Sequence, residues 1–150
     1  MKAAQGRYVF FLKVGDRFLN DSLTKLYPFT ENRVMDNIIH MIDWLKEDEN
    51  GNIAFADKKF SVQRDERLKS AIKMIPSRNG YDAAKFLLNR QINSFLGTKL
   101  YNVEFLKEHE IKFDETLADD EAEIFFEVET FFKTKYFMYI SDALYIAPKI

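Results

Sequence analysis

Apolar and polar residues alternate from Arg7 to Val14, with Tyr8, Phe10, Leu12 and Val14 on one face of an extended strand and Val9 and Phe11 on the other. Gly15-Asp16 supplies the turn that ends it. A short helix is predicted over Asp21 to Leu26, stopped at Tyr27-Pro28. Thr30 is a suitable N-cap and Glu31 suits the positive end of a helix dipole. Beyond them Val34, Met35, Ile38, Ile39, Met41, Ile42 and Leu45 form a stripe at helical spacing, closed by Asn50-Gly51.

Ile53 to Phe55 and Phe60 to Val62 read as short strands that pair as a hairpin around Asp57-Lys58-Lys59. A second helix is expected from Arg64 to Ile75, ended by Pro76, and a third from Tyr81 to Leu96, with Gly97 as its capping glycine. Tyr101, Val103 and Phe105 alternate with Leu100, Asn102 and Glu104, which predicts another strand. From Ile124 to Ile140 the strand and helix periods both fit. The aromatic and β-branched content favours strands, with a break near Lys133-Thr134-Lys135 because one strand of that length is unusual.

These elements predict one α+β domain over residues 1–150. Three main helices pack on a mostly antiparallel sheet that includes the N-terminal strand and the aromatic C-terminal segment. The hydrophobic fraction of 47% and charged fraction of 31% are those of a folded chain. With no cysteine there are no disulfides or thiolate metal sites. The apolar run Tyr8 to Leu12 is too short for a signal peptide, and no stretch approaches the ~20 apolar residues of a membrane span. A cytoplasmic location, or assembly into a virion made there, is therefore expected. The sequon Asn20-Asp21-Ser22 is then accidental.

Charge changes the picture more than composition does. Residues 1–57 carry seven Lys/Arg against nine Asp/Glu; residues 58–99 carry ten against three, a surplus of +7. Residues 100–129 carry two against eleven, a deficit of −9, and residues 130–150 carry three against one. The two segments either neutralise each other within one fold, meet between neighbouring subunits, or serve nucleic-acid recognition. The candidate basic surface is Lys58, Lys59, Arg64, Arg67, Lys69 and Lys73, continued by Arg78, Lys85 and Arg90. The candidate acidic surface is Glu108, Glu110, Asp114 and Glu115, continued by Asp119, Asp120, Glu121 and Glu123. Phe125, Phe131, Phe137 and Tyr139, set among charges on a strand, form a candidate aromatic contact surface.

Little points to chemistry. Asp36, His40, Asp43 and Glu47 would share one helical face, but that face lies opposite the apolar stripe and reads as solvated surface. Glu110-Ile111-Lys112 matches the acidic-x-Lys fragment of many nucleases without the partner that fragment needs. The five glycines are isolated, so no phosphate loop is present. The expectation is a non-enzymatic structural or interaction subunit of a homo-oligomer or larger assembly, of the viral or phage ring and connector type. It has no catalytic residue, cofactor or metal, and no membrane contact or small-molecule substrate is evident. Its partners are proteins, including copies of itself. One alternative is a winged-helix-like nucleic-acid-binding protein using residues 58–99, and the other is an acidic inhibitor of a nucleic-acid-binding protein.

Overall fold

The computed structural model describes residues 3–30, 38–41, 45–55, 73–76, 85, 88, 96–134, 136–140 and 145–147. Their strands form two mixed sheets. The first runs in the order β1 (Tyr8–Val9), β7 (Lys99–Asn102), β3 (Ile38–Met41), β8 (Tyr136–Ile140) and β6 (Lys73–Pro76). Only β3 and β8 pair in parallel, with Ile38 opposite Phe137; the other three pairings are antiparallel. The second sheet runs β2 (Arg17–Phe18), β9 (Tyr145–Ala147), β4 (Leu45–Glu47) and β5 (Ile53–Phe55), with β4 and β9 parallel.

The helices are α1 (Ser22–Thr30), α2 (Val103–Glu108) and α3 (Asp119–Lys133), with a 3₁₀ turn at Leu96–Thr98. Asn102 ends β7 and caps α2: its side-chain carbonyl accepts from the Phe105 N–H at 3.0 Å, satisfying one of the orphan donors of the first turn. The Val103 N–H donates to the Arg7 carbonyl at 2.9 Å, so the strand-to-helix corner is tied to β1. At the other end of α3, the Thr130 and Thr134 hydroxyls donate to the carbonyls four residues back, which satisfies them inside the core.

Several expectations are corrected. The stripe from Val34 to Leu45 is not one helix, because Ile38–Met41 lies inside the first sheet and Leu45–Glu47 inside the second. A continuous apolar run satisfies a strand paired on both sides as well as it satisfies a helix. Residues 73–75, expected at a helix end, belong to β6. The strand expected through Phe105 stops at Asn102, where the cap turns the chain into α2. β5 pairs with β4, and Phe60 to Val62, expected as its hairpin partner, lie outside the described residues. Of the helix expected over Tyr81 to Leu96, Lys85 and Leu88 are helical, Leu96 opens the 3₁₀ turn, and the rest lies outside the described residues.

The segment from Ile124 to Lys133 is helix, not strand. Ala122, Phe126, Glu127, Thr130 and Phe131 are its buried positions, spaced by four, one, three and one. That is one face of a 3.6-residue period, and it packs under β7. The break near Lys133-Thr134-Lys135 does fall between α3 and β8. Among the described residues no helix is long and apolar enough to cross a membrane.

Candidate functional site

The core beside α3 is aromatic. Phe11 meets Tyr101, Phe113 and Phe126 at ring-centroid distances of 5.6, 5.1 and 5.3 Å, and Phe113 stacks on Phe126 at 4.3 Å with 13° between planes. These stacked and edge contacts hold four separate segments together: the one after β1, β7, the loop between α2 and α3, and α3 itself.

Above this cluster opens a cleft of about 660 Å³. Phe11, Leu96, Phe113, Leu117 and Ala122 give it an apolar floor. Its charged lining is Asp114, Glu115, Asp119 and Glu123, with Lys13 as the opposing cation. Lys13 reaches across to Glu123 at 2.7 Å, so its ammonium is already matched. The Asp114 carboxylate accepts from the hydroxyl and the backbone N–H of Thr116 at 2.6 and 2.9 Å, and these two bonds hold it below the usual aspartate range. Asp119 opens α3. It makes no side-chain hydrogen bond or ion pair among the described residues, and so offers a carboxylate to whatever enters. A second cavity of about 550 Å³ shares Phe113, Asp114 and Glu115 and is bordered by Glu110, Lys112 and Glu129.

Beneath the cleft, Lys99, Tyr101 and Glu127 form a cluster with no solvent exposure. Lys99 and Tyr101 are two apart on β7 and share a face, which meets α3. The Tyr101 hydroxyl donates to Glu127 Oε1, while Lys99 Nζ lies 3.4 Å from Oε2, an ion-pair distance rather than a tight hydrogen bond. Burial pushes Glu127 up, against the opposing pull of Lys99 and Tyr101, and burial pushes Lys99 down despite Glu127. Tyr101 rises well above its ordinary value, first by burial and then by the Glu127 charge. All three shifts move toward the uncharged form.

The sequence-predicted surfaces fare differently. Of the acidic set, Asp114, Glu115, Asp119 and Glu123 converge on the cleft, and Glu110 borders the second cavity. Glu108 ends α2, and Asp120 and Glu121 lie exposed in the first turn of α3. Of the basic set, Lys73 is in β6 and Lys85 is an exposed helical residue. Lys58, Lys59, Arg64, Arg67, Lys69, Arg78 and Arg90 lie outside the described residues. The aromatic set is divided: on α3 Phe125 is 63% exposed and Phe131 is fully buried, while Phe137 and Tyr139 belong to the strand β8.

The proposed ligand face of Asp36, His40, Asp43 and Glu47 dissolves with its helix. His40 is in β3, Glu47 pairs with Arg17 at 2.5 Å, and the other two lie outside the described residues. No group of three or more potential metal ligands is assembled among the described residues. Sequence reading missed Lys13, Phe11 and the Lys99–Tyr101–Glu127 cluster. The one available signal was Glu127 itself, a carboxylate set between Phe126 and Val128.

No family model matches the chain, and no curated protein is similar to it. Among solved structures it is similar to Staphylococcus aureus TarS. Against TarS 1–349 in complex with UDP-GlcNAc the identity is 21% and the TM-score 0.64, covering 99% of this chain and 36% of that one. Against the same protein in complex with UDP the values are 20% and 0.62, covering 97% and 37%. Against the longer TarS chain they are 22% and 0.63, covering 99% and 23%. The chain thus spans about a third of TarS 1–349, and at this identity the likeness is one of fold.

That likeness overturns the expectation of a non-enzymatic structural subunit of a virion, ring or connector. The fold is one found in a chain solved with a nucleotide sugar. The physical reason for the misreading lies in α3. Of its two residues taken as surplus contact surface, Phe125 and Phe131, the second fills the core. The winged-helix alternative loses its first helix to β3 and β4, and the acidic-inhibitor alternative loses four of its carboxylates to the wall of a cleft.

Proposed function

We propose that this chain is an α+β unit of an enzyme that transfers a sugar from a uridine diphosphate sugar to an acceptor hydroxyl. The observation that carries the reading is the fold shared over 99% of the chain with TarS solved with UDP-GlcNAc. In such a transfer the acceptor oxygen bonds to the anomeric carbon as the bond from that carbon to the diphosphate oxygen breaks. UDP departs, and the acceptor proton needs a base. Asp119, exposed at the start of α3 and lining the cleft, is the carboxylate we assign that task.

The test uses the full-length protein. UDP-GlcNAc and UDP binding are measured by calorimetry, and UDP release is measured with and without added acceptor sugars. Asp119→Asn is expected to lower kcat by about 10²–10⁴-fold with little change in affinity for the nucleotide sugar, as loss of a general base does. Absence of UDP and UDP-sugar binding at millimolar concentration would sink the proposal. Unchanged turnover in Asp119→Asn would remove that residue from it.

A further inference from the structure

We infer that Glu127, Tyr101 and Lys99 are positioning residues for the transfer: their buried contacts fix the register of α3 on β7 and so set where Asp119 stands in the cleft. The inference rests on the transfer reading above and deepens it, since these residues act on the reaction through Asp119 and touch no substrate.

Asp119, Glu123 and Glu127 are spaced by four and form one row along α3. The first two line the cleft, and the third lies in the core about 12 Å along the helix from the first. Much of what α3 buries there carries no direction. Ala122, Phe126 and Phe131 are apolar, and the Thr130 hydroxyl donates within the helix to the Phe126 carbonyl. Apolar packing of the right volume holds a helix down but seats it loosely, since cores lose uniqueness before they lose stability. Glu127 supplies the direction that such packing lacks. It accepts from the Tyr101 hydroxyl and faces Lys99 Nζ at 3.4 Å, so two residues of one strand bracket one carboxylate of the helix. Two other ties, Lys13 to Glu123 at 2.7 Å and Lys133 to the His109 carbonyl at 3.0 Å, start from solvent-exposed lysines, where water competes.

Holding three ionisable groups away from water costs desolvation that an apolar trio would not meet, so stability is a poor account of the cluster and a fixed register a better one. Small movements are enough to matter. Side chains reach about 5–6 Å from a helix axis, so turning α3 by about 10° carries the Asp119 carboxylate by about 1 Å. A misplacement of about 1 Å can cost about 10²-fold in rate.

The test uses the full-length protein with the apolar trio (Lys99→Met, Tyr101→Phe, Glu127→Leu) and, as a milder change of the same kind, Tyr101→Phe alone. Both are expected to keep their affinity for UDP-GlcNAc by calorimetry. Turnover, followed as UDP release, is expected to fall by about 10²-fold in kcat for the trio and by less for Tyr101→Phe. Adding Asp119→Asn to the trio should cost no more than Asp119→Asn alone, because both changes act through one carboxylate. A second readout needs no turnover. The chain has no cysteine, so spin labels on Glu104→Cys and Glu121→Cys, exposed on α2 and α3, report a single distance. Because α2 follows β7 directly, the distribution of that distance should broaden in the trio. Wild-type kcat in the trio, losses that multiply when Asp119→Asn is added, or an unchanged distance distribution would overturn the inference while nucleotide-sugar binding stands. A wild type that binds neither UDP nor UDP-GlcNAc defeats the transfer reading instead, and the label distances still decide whether the cluster fixes α3.

Discussion

Glu127 is where a single substitution should reveal most about how this fold is held. Its carboxylate is fully buried, accepts from Tyr101 and sits 3.4 Å from the Lys99 ammonium. Glu127→Ala leaves Lys99 buried without its counter-charge, strands the Tyr101 hydroxyl and opens a cavity under α3. Removing one partner of a buried pair costs about 3–5 kcal/mol, a large part of the ~5–15 kcal/mol that stabilises a domain. Replacing all three polar groups (Lys99→Met, Tyr101→Phe, Glu127→Leu) removes the desolvation cost along with the interaction, and is expected to cost less than Glu127→Ala alone.

The pH dependence has a definite sign. The folded-state pKa of Glu127 is raised above its unfolded value, so between the two the folded chain holds a proton that the unfolded chain has lost. The contribution of Glu127 to stability is therefore full below the ordinary glutamate range and lost as pH rises through its raised value. Lys99 is shifted down, so its contribution is full above the ordinary lysine range and lost as pH falls through its lowered value. Urea unfolding followed by far-ultraviolet circular dichroism, from pH 4 to 8, on wild type, Glu127→Gln, Glu127→Ala and the triple variant checks the statement about Glu127. Glutamine keeps an acceptor for Tyr101 but cannot titrate. The stability of wild type relative to Glu127→Gln should thus decline as pH rises from 4. A cost below about 1 kcal/mol for Glu127→Ala, or a triple variant less stable than that single one, would refute the reasoning.

Two further outcomes follow from the local structure. Asn102→Ala removes the cap of α2 and should cost about 1 kcal/mol, read as a shift in the urea midpoint without a change in slope. Phe126→Ala empties the centre of the ring cluster formed with Phe11, Tyr101 and Phe113, and should cost about 3–5 kcal/mol by the same measurement.

Local chemistry was readable in the sequence at two turns, but not at Tyr27-Pro28, where the expected helix stop lies inside α1. Gly15, at φ 95°, makes the turn expected of Gly15-Asp16; Asp16 completes it by donating its N–H to the Lys13 carbonyl and accepting the Lys13 N–H at 2.8 Å. Ile53–Phe55 is a strand as expected, and Asn50-Gly51 turns the chain before it, with Gly51 at φ 84°. The acidic run from Glu108 to Glu123 was visible as composition, but not as a cleft. Its members converge only because Phe113 stacks on Phe126 and Lys13 arrives from about 100 residues upstream to bind Glu123.

Ile38–Met41 shows the opposite case. Its apolar spacing fits a helix, yet it is flanked by β7 and β8, strands some 60 and 100 residues further along the chain. Ile124 to Phe132 fits a strand by composition, yet it folds as a helix because that period alone brings Phe126, Glu127, Thr130 and Phe131 onto one buried face. The sequence by itself determined the Gly15-Asp16 and Asn50-Gly51 turns and the uneven charge, since these depend on neighbours a few bonds away, whereas Thr30, expected to cap a helix, instead ends α1. Only the tertiary structure decided which apolar runs became strands and which carboxylates share a cleft, because burial is settled by partners that are distant in the chain.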